Sequence, residues 1–258
     1  MSAVRVMGIV NVTPDSFSGD GTLGHGDHEA AVARGLAMAQ AGADLIDVGG
    51  ESTRPGYVPV PAEEELRRVL PVVGALADRG LTVSVDTSKA AVAAAALDAG
   101  ARVVNDIWGL RHEPEIAEIA AAHGAGLVLM HNQRGIEYER DLVEEVVERL
   151  GESIDIALRA GVAREAIVVD PGIGFGKNAG QDMVLLRRIG ELRRLGFPIL
   201  VGASRKSFLG RLFGQEMDLR PWGTAAIVAA CVLRGVDMVR VHDVAGMRAV
   251  VDVAEALR

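Results

Sequence analysis

One rhythm repeats eight times along this 258-residue chain: a short apolar run, an exit into polar residues or glycine, then a segment with helical spacing. The runs are RVMGIV (5–10), DLIDV (44–48), LTVSV (81–85), RVVN (102–105), GLVLM (126–130), AIVVD (166–170), FPILVG (197–202) and DMVRV (237–241). They lack polar alternation, which suits strands of a parallel sheet covered on both faces. In AEEELRRVLPVVGALADRG, helical spacing places Leu66, Val69, Leu70, Val73, Leu76 and Ala77 on one face, with Glu63–Glu65 in the first turn. Gly80, Gly100, Gly124, Gly161, Gly196 and Gly235 each fall just before the next strand, as helix C-caps do. At about 32 residues per beat, the pattern predicts an α/β chain folded as one (β/α)8 (TIM) barrel, a single domain over residues 1–258. A doubly wound open sheet is the alternative, though it usually has fewer strands.

Bulk properties narrow the function classes. The formal net charge of −8 argues against a broad nucleic-acid-binding face, and 3% aromatic residues argue against stacking platforms. A few focused cations can still bind a small anion. The one cysteine, Cys231, sits among Ala, Val and Leu, which reads as a buried small hydrophobe in a reducing, cytoplasmic setting. No secretory leader is expected, and apolar stretches of about ten residues are far short of the ~20 that a membrane span needs.

In such a barrel the site lies at the C-terminal ends of the strands. In order, those ends carry Asn11; Asp47 to Arg54 (DVGGESTR); Asp86; Asn105-Asp106; His131-Asn132; Asp170; Ser204-Arg205-Lys206; and Arg240, His242 and Asp243. Asp and Asn favour strand exits and helix N-caps anyway, but eight polar ends converging on one mouth read as a site. Asp86, Asn105 and Asp170 suit a flat heterocycle with N–H donors. Arg54, Arg205, Lys206, Arg240 and His242 suit phosphate or pyrophosphate. The expectation is an acceptor-lined floor with a cationic rim.

Familiar alternatives fail on spacing. GIGFGK (172–177) is not a Walker A loop, because Pro171 stands at the required first Gly and Asn178 at the Ser/Thr. Its glycines suit a tight, close-approaching loop. No HExxH, Cys/His cluster or Gly-x-Ser-x-Gly elbow is present. His131 reads either as a general base or as a structural histidine.

Taken together, MGIVNVTPDSFSGDG (7–21), ADLIDVGGESTRPG (43–56), VSVDTSK (83–89), VVNDIWGL (103–110), LVLMHN (127–132), VVDPGIGFGK (168–177), LVGASRKSFLG (200–210) and VRVHDV (239–244) resemble the dihydropteroate synthase family of folate biosynthesis. The resemblance runs through nearly the whole chain in order, and it implies a (β/α)8 barrel. The implied reaction joins 6-hydroxymethyl-7,8-dihydropterin pyrophosphate to p-aminobenzoate, giving 7,8-dihydropteroate and pyrophosphate with Mg2+.

The implied residue roles are as follows. Asp86, Asn105 and Asp170 would take the pterin N–H edges, with Met130 lining the slot and Lys206 on the opposite side. Asn11, Thr53, Arg54, Arg240 and His242 would hold the pyrophosphate, Asn11 also at the magnesium. Phe17, Pro55, Phe175 and Ser207 would border the aminobenzoate. Asp86, Lys206, Arg240 and His242 are the catalytic candidates, with His242 an anion binder and Asp86 a stabiliser of the cation left when pyrophosphate departs. A homodimer and binding of sulfonamides, as p-aminobenzoate mimics, are implied too. Segments 12–26 and 49–61 would act as lids, with pterin binding first.

The chain departs from the family pattern at Ser18-Gly19-Asp20-Gly21 and Ile173, and at Asp182, where Asn is usual. One rival is a methyltransferase moving the methyl of methyltetrahydrofolate to a corrinoid protein, which would not need Arg54, Lys206 and the Arg240/His242 pair. Another is a catalytically silent pterin-binding paralogue.

Overall fold

A computed structural model describes residues 3–13, 25–52, 59–202, 204, 206, 209–210, 214 and 220–258. Eight parallel strands are β1 (Arg5–Asn11), β2 (Leu45–Gly49), β3 (Val83–Asp86), β4 (Val103–Asp106), β5 (Gly126–Met130), β6 (Ile167–Asp170), β7 (Leu200–Val201) and β8 (Met238–Val241). Each precedes a helix: α1 (His25–Gln40), α2 (Ala62–Ala77), α3 (Ala90–Asp98), α4 (Glu115–His123), α5 (Leu142–Arg159), α6 (Ala179–Arg187), α7 (Arg220–Leu233) and α8 (Val244–Ala256). The strand order is β6-β5-β4-β3-β2-β1-β8-β7, and a parallel bridge between Val169 and Ile199 joins the two ends. The sheet is therefore a closed (β/α)8 barrel, and the open doubly wound sheet does not occur.

The predicted strands all form, with ends displaced by at most two residues except at β7. That strand is paired only at Leu200 and Val201. Pro198, just upstream, has no N–H to give; it serves the barrel through its carbonyl, which accepts from Val169 N at 2.9 Å. The six predicted cap glycines all adopt left-handed backbone, from φ 60° at Gly124 to 105° at Gly100.

Strand alternation builds two cores. Outward residues such as Val48, Val85, Val104, Leu129 and Val169 pack against the helices, while Met7, Leu45, Val128, Val168, Leu200 and Met238 form a separate buried cluster. This second cluster plugs the barrel below the strand exits. On α2, Val69, Val73 and Leu76 are buried as the spacing predicts. Glu65, however, does not face solvent with the rest of the acidic first turn. It is buried and paired with Lys89, which also lies 2.8 Å from Glu51. Cys231 is buried, and burial pushes its thiol up to about 12. Among the described residues, no helix is long and apolar enough to cross a membrane.

Candidate active site

The alternation that sends Val48, Val85, Val104 and Val169 outward turns Asp47, Asp86, Asn105 and Asp170 into the barrel above the apolar plug. In register, Asp86 neighbours Asn105 and Met130 neighbours Asp170. Arg240, on β8 between outward Val239 and Val241, enters the same space. Its Nε donates to Asp47 Oδ2 at 2.6 Å and its Nη2 to Asp86 Oδ2 at 2.5 Å. Asp47 Oδ2 also accepts from Asn105 Nδ2 at 3.0 Å, which fixes the amide with its oxygen turned away from Asp47. The predicted cationic rim needs correcting here, because the Arg240 guanidinium lies in the floor among carboxylates. Its Nη1 edge takes no part in either pair.

Electrostatics in this floor are strained by burial. Burial pushes Asp86 up to about 7, with Arg240 opposing the rise and Asp47 and Glu65 adding to it. Burial likewise pushes Asp170 up to about 6, against a hydrogen bond from Gly172 N to its Oδ1 at 2.7 Å. Lys206 is pushed down to about 8 by burial and by Arg240, with Asp170 opposing. Groups so shifted and gathered at the strand exits make this the candidate site. The Lys206 ammonium sits 4.1 Å from the Phe175 ring centroid, a cation–π contact that places both at the mouth.

The GIGFGK loop is tight, as its glycines suggest. Gly172, Gly174 and Gly176 have φ of 69°, 82° and 57°. A Cβ at Gly172 would run into the His131 carbonyl oxygen, so only glycine fits there. Asn178 forms a capping box with Gln181 at the start of α6, and buried Asp182 accepts from Gly174 N at 2.7 Å. Under the loop, Lys177 donates to His131 Nδ1 at 3.0 Å. Burial and Lys177 push His131 down to about 2, so its ring stays neutral and enclosed. The structural reading of His131 holds.

At β8, His242 N donates to Ser204 Oγ at 3.2 Å, and the Ser204 hydroxyl stands 3.0 Å from His242 Nδ1. A hydroxyl that donates to Nδ1 leaves the ring hydrogen on Nε2, where it suits an anion oxygen. Asn11 Oδ1 and Asp86 Oδ2 both border Gly49 at the exit of β2. Asp106, beside Asn105, points outward and instead accepts from Trp108 N and Leu110 N at 2.9 and 2.6 Å. Phe17, Thr53, Arg54, Pro55, Arg205 and Ser207 lie outside the described residues, as do most of the two lid segments.

Two members of this site carry no role in the sequence reading. Asp47 stands among the strand-end residues, yet only the closed barrel shows that it grips Asn105 and Arg240 together. Lys177 ends a motif read for its glycines. An inward strand-end carboxylate, two positions before the exit glycine, was the available signal for Asp47.

A closed barrel that gathers buried carboxylates, an amide and cations at its strand exits has the architecture of an enzyme site. Residues 7–242 match the family described as pterin binding enzyme. A dihydropteroate synthase of Synechocystis sp. is 45% identical over 98% of this chain and 89% of its own length. The Clostridium difficile dihydropteroate synthase, solved in the presence of pteroic acid, superposes with a TM-score of 0.95 at 44% identity, covering 99% of this chain and 97% of that one. The Xanthomonas albilineans enzyme with 4-aminobenzoic acid gives 0.93 at 45% identity, covering 99% and 93%. This chain belongs to the pterin binding enzymes, in their dihydropteroate synthase group.

Proposed function

We propose that this protein condenses 6-hydroxymethyl-7,8-dihydropterin pyrophosphate with p-aminobenzoate. The observation that carries the reading is the grouping of Asp86, Asn105 and Asp170 around Arg240 in one barrel mouth, with Lys206 over Phe175 beside it. The Asp170 carboxylate matches the parallel 2-amino and N3 donors of a pterin, and Asn105 and Asp86 face the remaining ring edge. Met130, buried beside Asp170, lines the slot. Lys206 reaches the ring from the other side, and its contact with Phe175 shapes the aminobenzoate pocket.

In the reaction the methylene–oxygen bond breaks and pyrophosphate leaves with the electron pair. The aniline nitrogen forms the new C–N bond to the methylene and then loses its proton. Free aniline is nucleophilic enough that no strong base is required, and none of the enclosed histidines is placed to act as one. His242 Nε2 and the Nη1 edge of Arg240 are assigned to the departing anion, with Thr53 and Arg54. Asp86 is assigned to the positive charge that develops on the methylene, and Arg240 tempers that carboxylate.

Mg2+ fits this donor set. The ion prefers a few hard oxygens and completes its shell with phosphate oxygens and water, so the Asn11 amide oxygen, which borders Gly49 as Asp86 does, would hold it on the protein side. When bound, it would neutralise charge on the leaving pyrophosphate. The cytoplasm suits the lone reduced Cys231. The proposal includes a homodimer, as the family resemblance implies; a largely apolar groove between α6 and α7, lined by Met183, Leu186, Leu209, Ala226 and Ile227 with Arg187 and Arg234, is a face it would use. The proposal is tested by the product: mass analysis after incubation with both substrates should find dihydropteroate. A mixture holding only unreacted substrates would sink it and leave a silent pterin binder.

A further inference from the structure

Beneath the glycine loop, one buried cation takes no part in the chemistry above. Lys177 is 6% exposed, and its ammonium donates to Phe175 O at 2.8 Å, His131 Nδ1 at 3.0 Å and Gly172 O at 3.1 Å. An ammonium has three donors, so all three are used. Burial is unfavourable to this charge and pushes it down to about 7, with Asp182 and Asp170 as the opposing charges. An apolar stem of the same volume would escape that penalty but leave the three buried acceptors without a donor. Packing alone gives no reason for an ammonium here.

The three acceptors supply one. His131 closes β5, Gly172 opens the loop and Phe175 lies in its middle. The Gly172 amide holds Asp170 Oδ1 at 2.7 Å, and the Phe175 ring carries Lys206 at 4.1 Å from its centroid. The loop is pressed flat on the β5 exit, because a Cβ at Gly176 would lie 2.6 Å from Gln133 Cγ. Neutral His131 remains an acceptor for Lys177 across the working pH range, backed by a Tyr138 ring 6.1 Å away whose hydroxyl donates to Gly176 O at 3.0 Å. Asp182, where the family pattern has Asn, tethers Gly174 and supplies the negative charge nearest this ammonium in effect.

We propose that Lys177 is a positioning residue for both substrates: by clamping the Gly172 and Phe175 carbonyls against His131, it sets the Asp170 carboxylate and the Phe175 ring in the mouth. The inference rests on the assignment of Asp170 to the pterin and Phe175 to p-aminobenzoate.

The test compares Lys177→Met and Lys177→Gln with the parent, by thermal melting, by Kd for the dihydropterin pyrophosphate with Mg2+, and by KM and kcat for p-aminobenzoate. The methionine variant should melt lower than the parent, because it leaves those three acceptors without a donor, so the binding constants decide the question. Its Kd and its KM for p-aminobenzoate should each rise about tenfold or more, with a smaller fall in kcat, since misplacement of about 1 Å is worth up to ~100-fold. Glutamine, which keeps two donors, should fall between. A merely structural lysine would lower the melting temperature and leave both constants alone, and that result overturns the proposal. If the methionine variant does not fold, the glutamine variant decides by itself: a KM within about twofold of the parent overturns the proposal there too. A parent that turns over beside an unaffected variant removes this inference alone. A parent that binds and turns over neither substrate removes the functional reading first, and the clamp with it.

Discussion

The Arg240 guanidinium at the end of β8 lies 2.5 Å from the Asp86 carboxylate at the end of β3, across 154 positions of sequence. With Asp47 at 2.6 Å on its Nε, this one cation balances two buried carboxylates in the floor of the barrel. The site and the fold therefore share a residue, and removing it should damage both.

Arg240→Met should destabilise the protein by about 3–5 kcal/mol at pH 8, because it leaves two charges buried without their partner. At pH 5 the loss should be smaller, since Asp86, pushed up to about 7, already holds a proton there. Denaturant midpoints at the two pH values check this. Equal losses at both would mean that the ion pairs contribute little.

Asp170→Asn should separate stability from binding. A carboxyl raised from 3.8 to about 6 on folding favours the fold below pH 3.8 and loses that advantage as pH rises through 6. The asparagine relieves the buried charge and can still accept from Gly172 N, so without ligand the variant should be more stable at pH 8 by on the order of 1–3 kcal/mol. Below pH 4 the gain should vanish. Pterin binding should weaken by at least ~1.5–3 kcal/mol, as a charge-assisted pair is lost and an amide N–H₂ faces ring donors. Unchanged pterin affinity would remove Asp170 from the site.

The pH dependence of kcat/KM for the pterin ester should have two limbs. It should rise through about 6 to 7 as Asp170 and Asp86 ionise, and fall from about 7 to 8 upward as Lys177 and Lys206 lose their protons. In Asp170→Asn the acid limb should move toward the Asp86 value. A rate constant flat from pH 5 to 9 would contradict these assignments.

Lys89 holds the stem of the β2–α2 segment: its ammonium binds Glu65 and Glu51, and Glu51 also accepts from Val60 N at 2.8 Å. Lys89→Met should destabilise by about 3–5 kcal/mol, because Glu65 is only 1% exposed and would be left as a buried charge. Adding Glu65→Gln should recover part of that loss. A double variant no more stable than the single one would deny the coupling.

The strands were legible because parallel strands covered on both faces read as continuous apolar runs, and GLVLM appears unchanged as β5. The cap glycines were legible because left-handed backbone demands them. Asp86, Asn105 and Asp170 stood out as polar exits, but Asn105 and Asp106 looked alike until alternation turned one inward and the other to the loop. Asp47, Glu65 and Lys177 were less legible, because each takes its role from partners brought near only by barrel closure: Arg240, Lys89 and His131. Arg240 shows the same limit from the other side. Its charge was visible, while its depth among carboxylates was not.

The most direct measurement is pyrophosphate release by the purified protein, with the dihydropterin pyrophosphate, p-aminobenzoate and Mg2+ supplied together and each then omitted. A synthase built on this site should release pyrophosphate only when all three are present. Release that ignores the omission of p-aminobenzoate, or no release from the complete mixture, would contradict it.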